Sequence, residues 1–160
     1  MKTDATIHVL LVEDDLVDVE RVRLVFAGLG LKHELTVLQN ASEAIAFLNR
    51  DAPYYDAVQP ELVLMGLRAS HTDGAAILQE IARLRSSGRQ TITVMALVKS
   101  DDSKSLKAAQ VLGADTYFVK PTRSEELRSF ASKLRQLWSS LSGVPSGLTP
   151  PHSPGSESSR

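Results

Sequence analysis

The sequence predicts an α/β protein, a parallel five-stranded sheet wound on both faces by five helices. Three short apolar runs, 7–12, 62–65 and 92–98, are continuous rather than alternating, as strands buried on both faces are. Between them stand amphipathic stretches with apolar residues every three or four positions, and Gly30, Gly88 and Gly113 punctuate their ends. Strands that alternate with helices and are joined by right-handed crossovers leave few topologies, of which strand order 2-1-3-4-5 is the expected one.

The elements follow in order. The first strand, 7–12, runs directly into Glu13, Asp14 and Asp15, so acids collect at its carboxyl end. From Leu16, the residues Val19, Val22, Phe26 and Leu29 trace one helical face, Asp18, Glu20, Arg21 and Arg23 lie between them, and Gly30 is the stop. A second unit repeats the first, with a strand at 34–38 and a helix at 41–48 that turns Ala44, Ile45 and Leu48 inward. The connection 49–60 carries two prolines, Tyr54 and Tyr55, and is longer than such connections usually are. After the third strand, Asp73-Gly74 is a turn signal opening a helix to about Ser86, with Ile77, Leu78, Ile81 and Leu84 as its buried stripe. Ser100 to Ser103 supplies cap chemistry for a fourth helix through Leu112, and 116–119 is the fifth strand. Thr122 and Glu125 have capping-box spacing at the start of the last helix, where Leu127, Phe130, Ala131, Leu134, Leu137, Trp138 and Leu141 keep a helical period.

Composition narrows the function. At 160 residues, 42% hydrophobic, the chain fits one domain with a real core plus an excess. In 142–160, 13 of 19 residues are Pro, Gly or Ser, too little apolar surface to offset the entropy of ordering. The expectation is one domain over 1–141 and a disordered tail. With 18 Lys+Arg against 19 Asp+Glu there is no positive field to draw nucleic acid or a membrane surface. The chain has no cysteine, no apolar stretch near the ~20 residues of a membrane span and no signal peptide ahead of Ile7, which together predict a cytoplasmic protein.

Three motifs carry a family resemblance: Val12-Glu13-Asp14-Asp15, the stretch from Glu61 to Gly74, and Phe118-Val119-Lys120-Pro121. In that order and spacing, residues 7–140 resemble the receiver domain of bacterial two-component response regulators, a flavodoxin-like fold, and the insertion at 49–60 resembles that of the phytochrome-associated subgroup. The resemblance implies a site for aspartyl phosphorylation. Such a site has an acidic pair on a divalent cation, an acceptor aspartate just after strand three, a hydroxyl on strand four and a lysine on strand five. The cation and the lysine neutralise charge on the transferring phosphoryl oxygens. Glu13 and Asp14 match the pair, while Asp15 reads as a helix cap, and Lys120 matches the lysine. Gly66 stands at the acceptor position and offers no oxygen. Val98 stands where the family has Thr or Ser, and Ala69-Ser70 also departs from the pattern, so the site has diverged as a unit. Arg68 is a candidate internal counter-ion for Glu13 and Asp14, with a solvated arginine as the alternative. Tyr117 matches the aromatic switch position. His8, His33, His71 and His152 show no paired spacing and read as incidental.

These residues imply a pseudo-receiver, an atypical single-domain response regulator that works without phosphorylation. Its partner would be a protein, whether a histidine kinase, a phytochrome-like sensor or a downstream target, met through the face formed by helix four, strand five and helix five. The apolar residues of the last helix suggest a homodimer. Without a Gly-rich phosphate loop, a nucleophile with its base or a histidine near the strand ends, no catalytic residue is expected. A flavodoxin-like cofactor is disfavoured because Glu13, Asp14 and Asp15 would repel its phosphate. Magnesium on Glu13 and Asp14 would be weak. The alternative is a working receiver phosphorylated at another acid such as Asp73.

Overall fold

The computed structural model describes residues 6–66, 74–88, 91–99 and 103–142. Among these residues five strands and five helices alternate: β1 (Ile7–Val12), α1 (Leu16–Leu29), β2 (His33–Leu38), α2 (Ala41–Asn49), β3 (Leu62–Gly66), α3 (Gly74–Ser86), β4 (Thr93–Val98), α4 (Ser103–Leu112), β5 (Thr116–Val119) and α5 (Ser124–Ser142). The strands form one sheet in the order β2-β1-β3-β4-β5 with every pair parallel, as the alternation predicts.

Successive side chains of a strand point to opposite faces, so each central strand feeds two cores. On one face Ile7, Val9, Leu11, Leu62, Leu64, Met95 and Leu97 meet the buried stripe of α1 and Phe130, Leu134 and Trp138 of α5. On the other, Leu10, Val12, Val63, Met65 and Val94 meet α2 and α3, and Ala96 and Val98 join Ala109 of α4. That double burial is why β1, β3 and β4 read as unbroken apolar runs.

Helix ends follow cap chemistry, with one correction. Asp15 caps α1, its carboxylate accepting from the N–H of Val17 and of Asp18, and Gly30 ends that helix at φ 69°. Asn40 caps α2 in the same way through the N–H of Glu43. At α5 the expected pair of Thr122 with Glu125 is not formed. The helix begins at Ser124, which makes Glu126 its third residue, and Glu126 accepts from the N–H of Thr122 and of Arg123 and from the Thr122 hydroxyl.

Other boundaries move slightly: β2 starts at His33, β4 at Thr93, and Ile45 and Leu78 are half-buried. The long connection before β3 is tied back to α2, as Gln59 Nε2 donates to the Leu48 carbonyl at 2.7 Å and Tyr54 lies against Phe47. In α5, Phe130, Leu134 and Trp138 are interior, and Trp138 faces Phe26 and His33 across the α1 side of the core. Of the apolar residues behind the expected homodimer, these three pack within the protomer, Leu137 is half-buried and the side chain of Leu141 lies outside the described residues.

Candidate functional site

The site lies at the carboxyl edge of the sheet. Val12 pairs with Met65, so the next step along the two strands sets Glu13 opposite Gly66, both on the face covered by α1 and α5. The Glu13 backbone N–H donates to the Leu38 carbonyl at 3.0 Å, and its side chain is 1% exposed. A Cβ built on Gly66 would stand 2.3 Å from Glu13 Oε1, closer than real Cβ atoms come, and 3.1 Å from its Cδ. The Glu13 carboxylate therefore fills the space that any side chain at 66 would need.

Both oxygens of that carboxylate face cationic or donor groups. Oε2 accepts from the Asp15 N–H at 3.1 Å, and Oε1 lies 3.0 Å from Lys120 Nζ. The ammonium approaches Oε1 off the hydrogen-bond direction, so this buried oxygen has an ion contact and no directed hydrogen bond. The directed bond of Lys120 goes to Asp18 Oδ2, at 2.8 Å. Lys120 sits just past β5, its backbone N–H held by the Val98 carbonyl at 2.8 Å. Burial works against its charge but is outweighed by the bond to Asp18, the contact with Glu13 and the attraction of both carboxylates, and its pKa is held above the ordinary lysine value.

The two carboxylates that hold Lys120 are those of Glu13 and Asp18. The latter escaped notice as one more acid of an amphipathic helix, although the spacing that buries Val22, Val25 and Leu29 extends back to position 18. Asp18 is only 12% exposed and also holds Arg21 at 3.4 Å. Asp14, the other half of the expected acidic pair, is half-buried.

Val98 is buried between Ala96 and Ala109 on the opposite face of the sheet, whereas Tyr117 on β5 is 42% exposed and turned outward. The structure thus brings Glu13, Gly66 and Lys120 together and leaves Tyr117 apart from them. Arg68, Ala69, Ser70, His71 and Asp73 lie outside the described residues. Among the described residues no group of three or more carboxylates, histidines or cysteines is arranged to hold a metal ion. Toward a divalent cation, Gly66 contributes no side-chain oxygen and the Glu13 carboxylate is turned onto an ammonium, which leaves Asp14 as the other described carboxylate of the expected pair. His33 is structural, its Nδ1 2.8 Å from the Leu31 carbonyl and its ring against Phe26.

A five-stranded 2-1-3-4-5 sheet with acids after β1 and a buried lysine after β5 defines a class, and the chain belongs to it: residues 9–132 match the response regulator receiver domain, which makes this a receiver of two-component signalling. More particularly, it is similar to response regulator Rcp1 of Synechocystis sp., with 28% identity over 130 residues covering 81% of this chain and 87% of Rcp1. Among solved structures it resembles the phosphorylated cyanobacterial phytochrome response regulator RcpA, at 25% identity and TM-score 0.70, covering 84% of this chain and 94% of RcpA. It also resembles the Mn(2+)-bound form of Rcp1, at 28% identity and TM-score 0.67, covering 82% and 93%. No helix among the described residues is long and apolar enough to cross a membrane.

Proposed function

We propose that this chain is a pseudo-receiver: a cytoplasmic signalling module of the phytochrome-associated kind that binds a protein partner, takes up no phosphoryl group and catalyses no reaction. The observation that carries this reading is the Glu13 carboxylate lying where a side chain at 66 would stand, with Lys120 already held by Glu13 and Asp18. Glycine supplies no acceptor oxygen, its neighbours Met65 and Leu67 supply none, and the lysine that would meet a phosphoryl group is engaged. Magnesium binding is correspondingly weak, in contrast to the Mn(2+)-bound form in which Rcp1 was crystallised. The partner is a histidine kinase, a phytochrome-like sensor or a downstream target, met on the side where Tyr117 and Val111 are exposed.

The test is incubation with acetyl phosphate and magnesium followed by intact mass measurement of wild type, Gly66→Asp and Gly66→Asp/Val98→Thr. The wild type is expected to keep its mass. The single variant gains phosphate slowly at best: its carboxylate must displace Glu13, and Val98, which stands at the family's hydroxyl position, is packed against Ala109 and brings no donor. The double variant should do better. Stoichiometric phosphate on the unmodified chain, at Asp73, Asp14 or another carboxylate, would overturn the proposal and make the chain a working receiver, as the phosphorylated RcpA structure illustrates for a relative.

A further inference from the structure

Between α1 and α5 runs an open groove of about 470 Å³. Leu24, Leu127 and Ala131 give it an apolar floor, and Leu24 is 65% exposed. Arg128 and Arg135 line it from α5, seven residues apart. Arg135 is steadied by donating to the Leu29 carbonyl at 3.4 Å, and among the described residues no carboxylate lies within ion-pair reach of either guanidinium.

Gly28 forms the remaining wall, in the last turn of α1. Glycine inside a helix costs up to about 1 kcal/mol relative to alanine. A Cβ at this position would meet no atom within 4 Å, and its backbone is not left-handed. Nothing among the described residues calls for glycine here, and what its missing side chain keeps open is the groove. The lining is apolar and cationic with no acid in it.

We propose that this groove docks an acidic amphipathic helix of a protein partner, one large apolar side chain entering beside Gly28 while two carboxylates reach Arg128 and Arg135. Seven residues of α5 span about 10 Å. An incoming helix lying at a shallow angle along α5 matches that span with acids at i and i+7 and the apolar residue at i+3 or i+4 between them. The inference rests on the reading that the module works through a protein partner, and it makes no use of the phosphorylation site.

Fluorescence polarisation of the full chain with a labelled helical peptide tests it, the peptide carrying a leucine between glutamates seven apart and a control carrying lysines instead. Wild type should bind the glutamate peptide about tenfold or more tighter than the control, a difference of about 1.4 kcal/mol. Gly28→Leu should lose about tenfold or more of that affinity while melting no lower than wild type, since leucine favours helix. Arg128→Glu combined with Arg135→Glu should invert the preference. Equal binding of both peptides, or wild-type affinity in Gly28→Leu, overturns the proposal. So does sedimentation showing a dimer that Gly28→Leu dissolves, which would make a second copy the occupant. Running each sample with and without acetyl phosphate, masses checked, separates the two readings: phosphate uptake with unchanged peptide preference defeats only the claim that the chain takes up no phosphoryl group, and a lost preference on phosphate-free protein defeats only the docking site.

Discussion

Gly66 and Glu13 behave as one unit, and their coupling is measurable. Gly66→Ala would set a Cβ 2.3 Å from Glu13 Oε1, so the carboxylate has to turn aside and give up its contact with Lys120, and the change should destabilise by about 1–3 kcal/mol. In a Glu13→Ala background the obstacle is gone, and the same change should cost at least about 1 kcal/mol less in urea denaturation. Equal costs in both backgrounds would show that the carboxylate does not hold that space. Lys120 gives a second expectation, on pH. Its folded pKa is raised, so its contribution is complete below the unfolded value of about 10.4 and disappears as pH rises through the higher folded one. The stability gap between wild type and Lys120→Met, expected at about 3 kcal/mol for breaking a buried ion pair, should stay level from about pH 8 to 10 and shrink above. A gap that closes below about pH 9 would contradict the raised value. At this scale the sequence was informative about residue types and poor about partners. Glu13, Gly66 and Lys120 could be singled out from their strand ends, but the bond from Lys120 to Asp18 joins positions 102 apart in the chain. Only the docking of α1 against the sheet edge creates it.

At the scale of elements, α5 shows what patterning can and cannot say. Its helical period was legible because apolar residues recur on one face, yet the same period suits a helix packed at home and one packed against a second copy. Tertiary contact decides, and Trp138, 8% exposed between Phe26 and His33, belongs to the protomer's own core. Trp138→Ala should therefore lower stability by about 3 kcal/mol with m unchanged. A loss well under about 1 kcal/mol would mean that α5 is held mainly by something other than this contact. The cap of α5 failed to be read for a different reason. Thr122 can enter a capping arrangement with an acid one place either way, and the first helical residue, Ser124, selects Glu126. The stop of α2 carried no glycine to announce it, because Arg50 itself adopts φ 57°.

At the scale of the whole molecule, the fold was the most legible part. Parallel strands buried on both faces cannot hide in a sequence: each is a run of large apolar residues too short for a helix and bounded by turn chemistry. Three such runs and two less buried edge strands, separated by helical periods, leave almost one way to close two cores around a single sheet. The carboxyl edge of that sheet then collects the ends of β1, β3 and β5 from distant parts of the chain, and a site there is expected from topology alone. What topology does not set is whether the site keeps its chemistry, which depends on side chains packing within tenths of an ångström at Gly66 and Glu13. That closeness makes positions 13 and 66 two digits of one number. Aspartate placed at 66 alone meets an occupied space and is expected to lower stability before it presents a usable oxygen. Shortening residue 13 alone gives up the contact with Lys120. Anyone adding a carboxylate at this edge of the sheet therefore has to change both residues together.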